Sequence, residues 1–170
     1  MKQAMINTMR KEKHDHFDTP DYAVKPLLPS ISKRWTVWEP TDTTGKSRIT
    51  AVLRKHGCKV KSTGKTKFDF LKDTPSFEFD CIITNPPYSL KDEFIERCDM
   101  FGKPWALLMP LTALEGVHRG LMFRDLGLSF GVLVLDRRVE YTSGSVWFNT
   151  SWFCCGILPQ QLMFAELEKK

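Results

Sequence analysis

The sequence predicts an α/β domain built on a doubly wound, mostly parallel sheet with an antiparallel edge hairpin. Three observations predict it. Short apolar runs rich in β-formers alternate with stretches of helical period in short βα units, the pattern of parallel strands linked by helices. The run Cys81-Ile82-Ile83 is broken off by Pro86-Pro87, whose fixed φ and missing donors stop the ladder at Asn85, as at the carboxyl end of a buried strand. No helical stretch lies between the strand ending at Leu135 and the one beginning at Trp152, so these two are expected to pair antiparallel at the edge.

Length and composition bound the rest. A chain of 170 residues is one domain by size, with room for a single core. With 42% hydrophobic and 26% charged residues it reads as globular. The net charge of +5 permits a polyanionic partner without demanding one. Five cysteines, Cys58, Cys81, Cys98, Cys154 and Cys155, show no metal-ligand spacing, and three of them lie in apolar strand-like runs. A reduced protein with no structural metal is expected. No apolar run approaches the roughly 20 residues of a membrane span, and no signal-peptide apolar region opens the chain, so no membrane partner is expected. The expected division is a flexible basic arm over 1–16, one domain over 17–160 and a C-terminal tail over 161–170.

Taken in order, Phe17-Asp18-Thr19-Pro20 precedes a helical stretch from Tyr22 to Leu28, with Asp18 or Thr19 as cap and Pro20 in its first position. Trp35 to Glu39 reads as the first strand, ended by Pro40. A helix over Ser47 to His56 stops at Gly57. Between them, Thr44-Gly45-Lys46-Ser47 ends like a phosphate loop. The position five before Gly45 should then be glycine and is Pro40, so a nucleoside-triphosphate loop is disfavoured. Cys58 to Ser62 is a short second strand. After Asn85-Pro86-Pro87-Tyr88, helices are expected over Leu90 to Phe101 and Leu114 to Leu126, and strands over Trp105 to Leu111, Val132 to Leu135 and Trp152 to Leu158. The loop 139–149 carries Tyr141, Trp147 and Phe148 on either side of Ser143-Gly144-Ser145 and is long for a purely structural connection. Arg137 and Arg138 beside it are candidates for phosphate contacts.

In an open α/β sheet, ligands sit at the carboxyl ends of central strands. There the chain places an amide (Asn85), a rigid turn and an aromatic ring (Tyr88), a set suited to an exocyclic amine on a flat ring. An ordinary strand followed by a tight Asn-Pro turn has the same sequence signature. Asn85-Pro86-Pro87-Tyr88 after an apolar strand resembles the motif of the amino-group methyltransferases. From about residue 14 to 158 the chain is similar to the phage-type adenine-N6 DNA methyltransferases, most closely over Tyr88 to Leu114.

That resemblance implies a Rossmann-like methyltransferase sheet and S-adenosyl-L-methionine as cofactor. It implies DNA as partner, with an adenine flipped from duplex or taken from single strand, and a cytoplasmic enzyme of a bacterial host. A homodimer or a partner subunit would help to recognise the site, since the chain has no separate recognition module. Asn85 and the Pro86 carbonyl would hold the target amine, Pro87 would stiffen the turn and Tyr88 would stack on the base. Phe17, Thr19 and Pro20 would line the methionine end of the cofactor. Glu39, Pro40 and Gly45 match the glycine-rich cofactor element, and Asp69-Phe70 matches the element that meets the cofactor's adenine. Tyr141, Trp147 and Phe148, with Arg137 and Arg138, would contact the substrate. The chain departs from the pattern twice. Thr43 replaces the first loop glycine, where a β-branched residue would resist positive φ. Thr63, Gly64 and Lys65 stand where an acidic residue would grip the ribose hydroxyls. The departures leave open a second reading, a degenerate methyltransferase fold serving as a nucleic-acid or protein binding module. A third is methylation of RNA or of a protein amide.

Overall fold

A computed structural model describes residues 18–66, 68–141 and 148–168. A seven-stranded sheet forms its centre, built from β1 (Thr36–Glu39), β2 (Lys59–Ser62), β3 (Cys81–Thr84), β4 (Trp105–Pro110), β5 (Phe130–Leu135), β6 (Thr150–Cys155) and β7 (Leu162–Ala165). The order across the sheet is β2-β1-β3-β4-β6-β5-β7. β2, β1, β3 and β4 are parallel; β6 runs antiparallel to both β4 and β5, and β7 pairs parallel with β5. The β5–β6 hairpin thus sits at the end of the parallel set, with β6 rather than β5 against β4. Outside it lies β7, in the segment expected as a tail. Leu162-Met163-Phe164-Ala165 is therefore part of the sheet, and the domain extends past residue 160.

Residues 37, 81, 83, 106, 108, 133, 152 and 154 point to one face of the sheet, and 38, 82, 107, 109, 132 and 153 to the other. This is the period of two that separates the faces of a strand. The first face is covered by α1 (Asp21–Val24), the 3-10 turn Lys25–Ser30 that follows it, and α2 (Arg48–His56). The second is covered by α3 (Lys91–Met100), by α4 (Val117–Leu126) and by an aromatic loop over residues 68–79. Both faces of β3 and β4 are buried, which is why their sequences are continuously apolar.

Local chemistry explains the element ends. Ser47 accepts the Thr50 N–H at the start of α2, and Gly57 closes the helix at φ 114° with Arg54, Lys55 and His56 in the last turn. The helix expected from Tyr22 runs only one α-turn before tightening to 3-10, because Pro26 and Pro29 lack the amides that would continue it. Neither Asp18 nor Thr19 caps it: Pro20 holds the N-cap position and no side chain makes a capping bond. α4 starts at Val117 rather than Leu114, since Leu111–Leu114 forms a 3-10 turn and Gly116 adopts φ 108°.

Among the described residues no helix joins β2 to β3. That connection is pinned to the sheet by Trp38, wholly buried, whose ring lies 5.0–5.5 Å from those of Phe68, Phe70, Phe77, Phe79 and Phe101. Arg97 of α3 donates to the carbonyls of Phe70 and Asp73 and fastens the loop from the other side. Among the described residues no helix is long and apolar enough to cross a membrane, and no cluster of metal ligands occurs.

Candidate ligand site at the switch point of the sheet

From β1 the chain steps to β2 on one side, then crosses back to β3 on the other. The carboxyl ends of β1 and β3 are therefore the switch point, where connections diverge and leave a crevice. A cavity of about 310 Å³ lies there, lined by Asp18, Thr19, Glu39, Thr41, Asp42, Thr43, Thr44, Lys46, Ser47, Arg48, Ile49 and Asn85. Its size is at the lower bound of small-molecule sites.

Glu39 ends β1 and is 1% exposed. Its Oε1 accepts the Thr41 N–H (3.0 Å) and the hydroxyls of Thr41 (2.7 Å) and Thr84 (2.6 Å), while Oε2 accepts the Ser47 hydroxyl (3.2 Å). Burial pushes its carboxyl pKa up; the hydroxyls pull the other way, and the nearby Asp42 charge adds to the rise. The bond from Thr84 also ties the end of β3 to the end of β1, which fixes the two sides of the crevice.

Asp42 shapes the loop that follows. Oδ1 accepts the N–H groups of Thr44, Gly45 and Lys46 at 2.8–3.3 Å, and Oδ2 accepts the Ser47 N–H at 3.0 Å and the Thr50 hydroxyl at 2.7 Å. Burial alone would raise this carboxyl, but the hydrogen bonds from Thr50, Ser47 and Thr44 outweigh it and hold the pKa at about 2. The amides that a phosphate would use at the start of α2 are thus already engaged by a carboxylate of the chain itself. The Gly-Lys-Ser stretch is a self-liganded helix start.

The strain expected at Thr43 does not arise. Among the described residues no non-glycine has positive φ, and the loop takes its left-handed residue at Gly45, φ 69°. Thr43 instead lies against Gly64, at φ 94°; a Cβ there would come within 2.5 Å of the Thr43 nitrogen. The residues standing where the ribose acid was sought are therefore in close contact with the loop after β1. Thr63 reinforces the contact, donating its N–H to the Glu39 carbonyl and accepting the Trp38 indole N–H at 3.0 Å.

Asn85 is 8% exposed at the end of β3, and its Nδ2 donates to Thr19 Oγ1 at 3.0 Å. The Phe-x-Thr-Pro segment and the Asn-Pro-Pro-Tyr segment, 66 residues apart, thus meet at one wall of the cavity. Pro20 and Pro40 are buried behind them. Past Pro86 and Pro87 the chain turns through Tyr88–Leu90 into α3. Tyr88 is half-buried; its hydroxyl is 3.0 Å from that of Tyr141, and its ring meets Phe148 at 5.6 Å and 73°. The motif and the loop before β6 are therefore brought together. Phe17 and Trp147 lie outside the described residues.

Other expected residues are placed elsewhere. Asp69 accepts the Leu71 N–H and faces Lys72 across a local turn, and it does not line the cavity. Phe70 is 4% exposed in the aromatic cluster around Trp38. Tyr141 is 4% exposed, so its ring belongs to the core, and its hydroxyl reaches that of Tyr88. Arg137 pairs with Asp136 and Glu166 on the surface, and Arg138 is exposed. The lining residues that were not among the expected site residues are Asp18, Thr41, Asp42, Thr43, Thr44, Lys46, Ser47, Arg48 and Ile49. The signal for Asp42 was local, since Asp-Thr-Thr-Gly is a stretch in which an aspartate bonds amides two and three residues on.

No family model and no curated protein matches this chain. Solved structures do. The type I restriction-modification methyltransferase subunit from Streptococcus thermophilus superposes with a TM-score of 0.55 at 15% identity, over 88% of this chain and 47% of that one. The M protein of the type I restriction enzyme EcoKI superposes at 0.58 and 14% identity, over 87% and 48%. A structure described as a class I S-adenosylmethionine-dependent methyltransferase of Listeria monocytogenes gives 0.58 at 14% identity, over 98% of this chain and 72% of that one. The chain spans about half the length of the two type I subunits. At these identities the likeness speaks for the fold, and the chain carries the Rossmann-like fold of the class I S-adenosylmethionine-dependent methyltransferases.

Proposed function

We propose that the chain is an S-adenosylmethionine-dependent methyltransferase acting on the N6 amine of adenine in DNA. The observation that carries this reading is the meeting of Asn85 with Thr19 and Glu39 at one cavity on the switch point, with Tyr88 opening the turn that follows Asn85 and its two prolines. The cavity's donor set fits the amino-acid end of the cofactor. Asp18, Glu39 and Thr19 can meet its ammonium, and Lys46 or Arg48 its carboxylate. The sugar end would rely on hydroxyls, since Thr63, Gly64 and Lys65 bring no carboxylate. When bound, S-adenosylmethionine supplies an electrophilic methyl group.

The chain's own residues do the rest. The adenine amine is a poor nucleophile because its lone pair is delocalised into the ring. Asn85 and the Pro86 carbonyl would accept hydrogen bonds from its N–H groups and favour a tetrahedral nitrogen. As methyl transfer leaves the sulfonium as a thioether, the amine's surplus proton passes to water, so rate comes from positioning and electrostatics. Tyr88 holds the base by stacking, worth about 1–3 kcal/mol per base. The base has to leave its stack to reach this turn.

The Thr43–Gly64 contact favours the second reading, a binding module that has lost its cofactor. Titration calorimetry with S-adenosylmethionine, followed by methyl transfer to adenine-containing DNA, separates the two. The enzyme reading expects micromolar binding, with transfer abolished in Asn85→Ala and cut about ten- to a hundredfold in Tyr88→Ala. No heat of binding up to millimolar cofactor would leave the binding module standing. Transfer to RNA or to a glutamine-containing peptide, and none to DNA, would move the substrate to the third class.

A further inference from the structure

We propose that Tyr141 is a positioning residue for Tyr88, acting through a chain of hydroxyls that sets the stacking ring before a base arrives. The inference rests on the function proposed above and names a residue that never touches the substrate. Tyr141 Oη donates to Thr150 Oγ1 at 3.1 Å and lies 3.0 Å from Tyr88 Oη. A phenol has one proton, so with Tyr141's committed to Thr150, Tyr88 is the donor in the other bond. The direction of the chain is then fixed from Tyr88 through Tyr141 to Thr150.

Each anchor is rigid. Thr150 is wholly buried, opens β6 and sits in register with Pro110 at the end of β4. The Tyr141 ring is 4% exposed in the core cluster on the α1 side of the sheet. The backbone just before it is clamped by Tyr22 of α1, whose hydroxyl accepts the Glu140 N–H at 2.8 Å and reaches the Glu140 carbonyl at 3.3 Å. Tyr88 itself opens the 3-10 turn Tyr88–Leu90 that leads into α3, and that turn sets its backbone. With the hydroxyl fixed and Phe148 meeting the ring at 73°, its side-chain torsions are fixed as well. A ring held in one orientation loses less rotamer freedom when a base stacks on it.

The test uses the full chain and an adenine-containing single-stranded oligonucleotide. Tyr141→Phe keeps the buried ring and removes only the hydroxyl. The affinity for the oligonucleotide and 1/KM for methyl transfer should each fall about three- to tenfold, with cofactor affinity and kcat unchanged. Thr150→Val should act in the same direction. In a Tyr88→Phe background, Tyr141→Phe should have no further effect, because its hydroxyl acts only through Tyr88. NMR of 13C-labelled tyrosine gives a readout that needs no activity: the Tyr88 ring should be ordered in the wild type and averaged in Tyr141→Phe. Unchanged oligonucleotide affinity, an unchanged Tyr88 ring, or a full effect that persists in the Tyr88→Phe background would overturn the tether. Absence of adenine-dependent binding in the wild type would instead overturn the function on which it rests, whatever the ring signal shows.

Discussion

Asp42→Asn is the substitution whose effect can be worked most directly from the structure. The carboxylate is 5% exposed and receives four backbone N–H groups and two hydroxyls within residues 44–50. Its pKa stands at about 2 rather than 3.8. At 1.36 kcal/mol per pH unit, that gap corresponds to about 2.5 kcal/mol of preference for the charged form in the folded state. A depressed carboxylate contributes stability that is full above the unfolded-state value and is lost as pH falls through the folded-state value. The window is therefore about pH 4 down to 2, and roughly half, about 1.3 kcal/mol, remains at pH 3. Asparagine keeps the shape and one acceptor but neither the charge nor the second acceptor. Urea unfolding should find Asp42→Asn about 2.5 kcal/mol less stable at pH 7, with the gap narrowing to about half at pH 3. A gap under about 0.5 kcal/mol at pH 7, or one equal at both pH values, would refute the loop as a carboxylate-organised structure.

Three further outcomes follow from the same geometry. Glu39→Gln removes a charge whose burial raises the pKa, so the variant should gain stability relative to wild type as pH rises above 4.5 and match it below; paired urea melts at pH 4 and pH 8 check the sign. Gly64→Ala places a methyl within 2.5 Å of the Thr43 nitrogen at φ 94°, and should cost about 2–4 kcal/mol in chemical unfolding, strain and overlap together. Trp38→Ala empties the centre of five ring contacts and should cost about 3–5 kcal/mol, with loss of protease resistance concentrated in residues 68–79.

What the chain showed before folding, and what it hid, divide along physical lines. β3 and β4 were legible because both faces are buried and the apolar run is unbroken from Trp105 to Met109. Gly57 was legible because helix endings depend on local φ. β7 was not, since Leu162 and Phe164 remain exposed and the strand earns its place only by pairing with β5, a contact no local pattern encodes. That Asn85 and Thr19 both belong to the site was expected only through family resemblance; their hydrogen bond was not, since spacing alone cannot say that residues 66 apart meet. Thr43 was misjudged because its φ depends on which acceptor organises the loop. Once Asp42 takes the amides, the left-handed residue moves to Gly45. Asp69 was expected at the cofactor only through family resemblance; here its carboxylate accepts the Leu71 N–H within its own turn.

The Asp42 arrangement also changes what the two departures at the cofactor loop mean. In a glycine-rich loop the backbone itself approaches the ligand, and a threonine there is an obstacle. Here the amides of residues 44–47 are turned inward onto Asp42, so Thr43 does not stand in the way of a backbone approach. In the function proposed above, recognition would fall to side chains, with Asp18, Thr19, Lys46, Arg48 and Asn85 lining the cavity around the buried Glu39. That is a weaker grip per contact, because water competes for the exposed Lys46 and Arg48. It is offset in part because the loop is already ordered and a ligand need not immobilise it. A missing glycine, read alone, points to decay of the pocket. Read together with the carboxylate two residues on from Pro40, it points to a loop rebuilt around an internal anion.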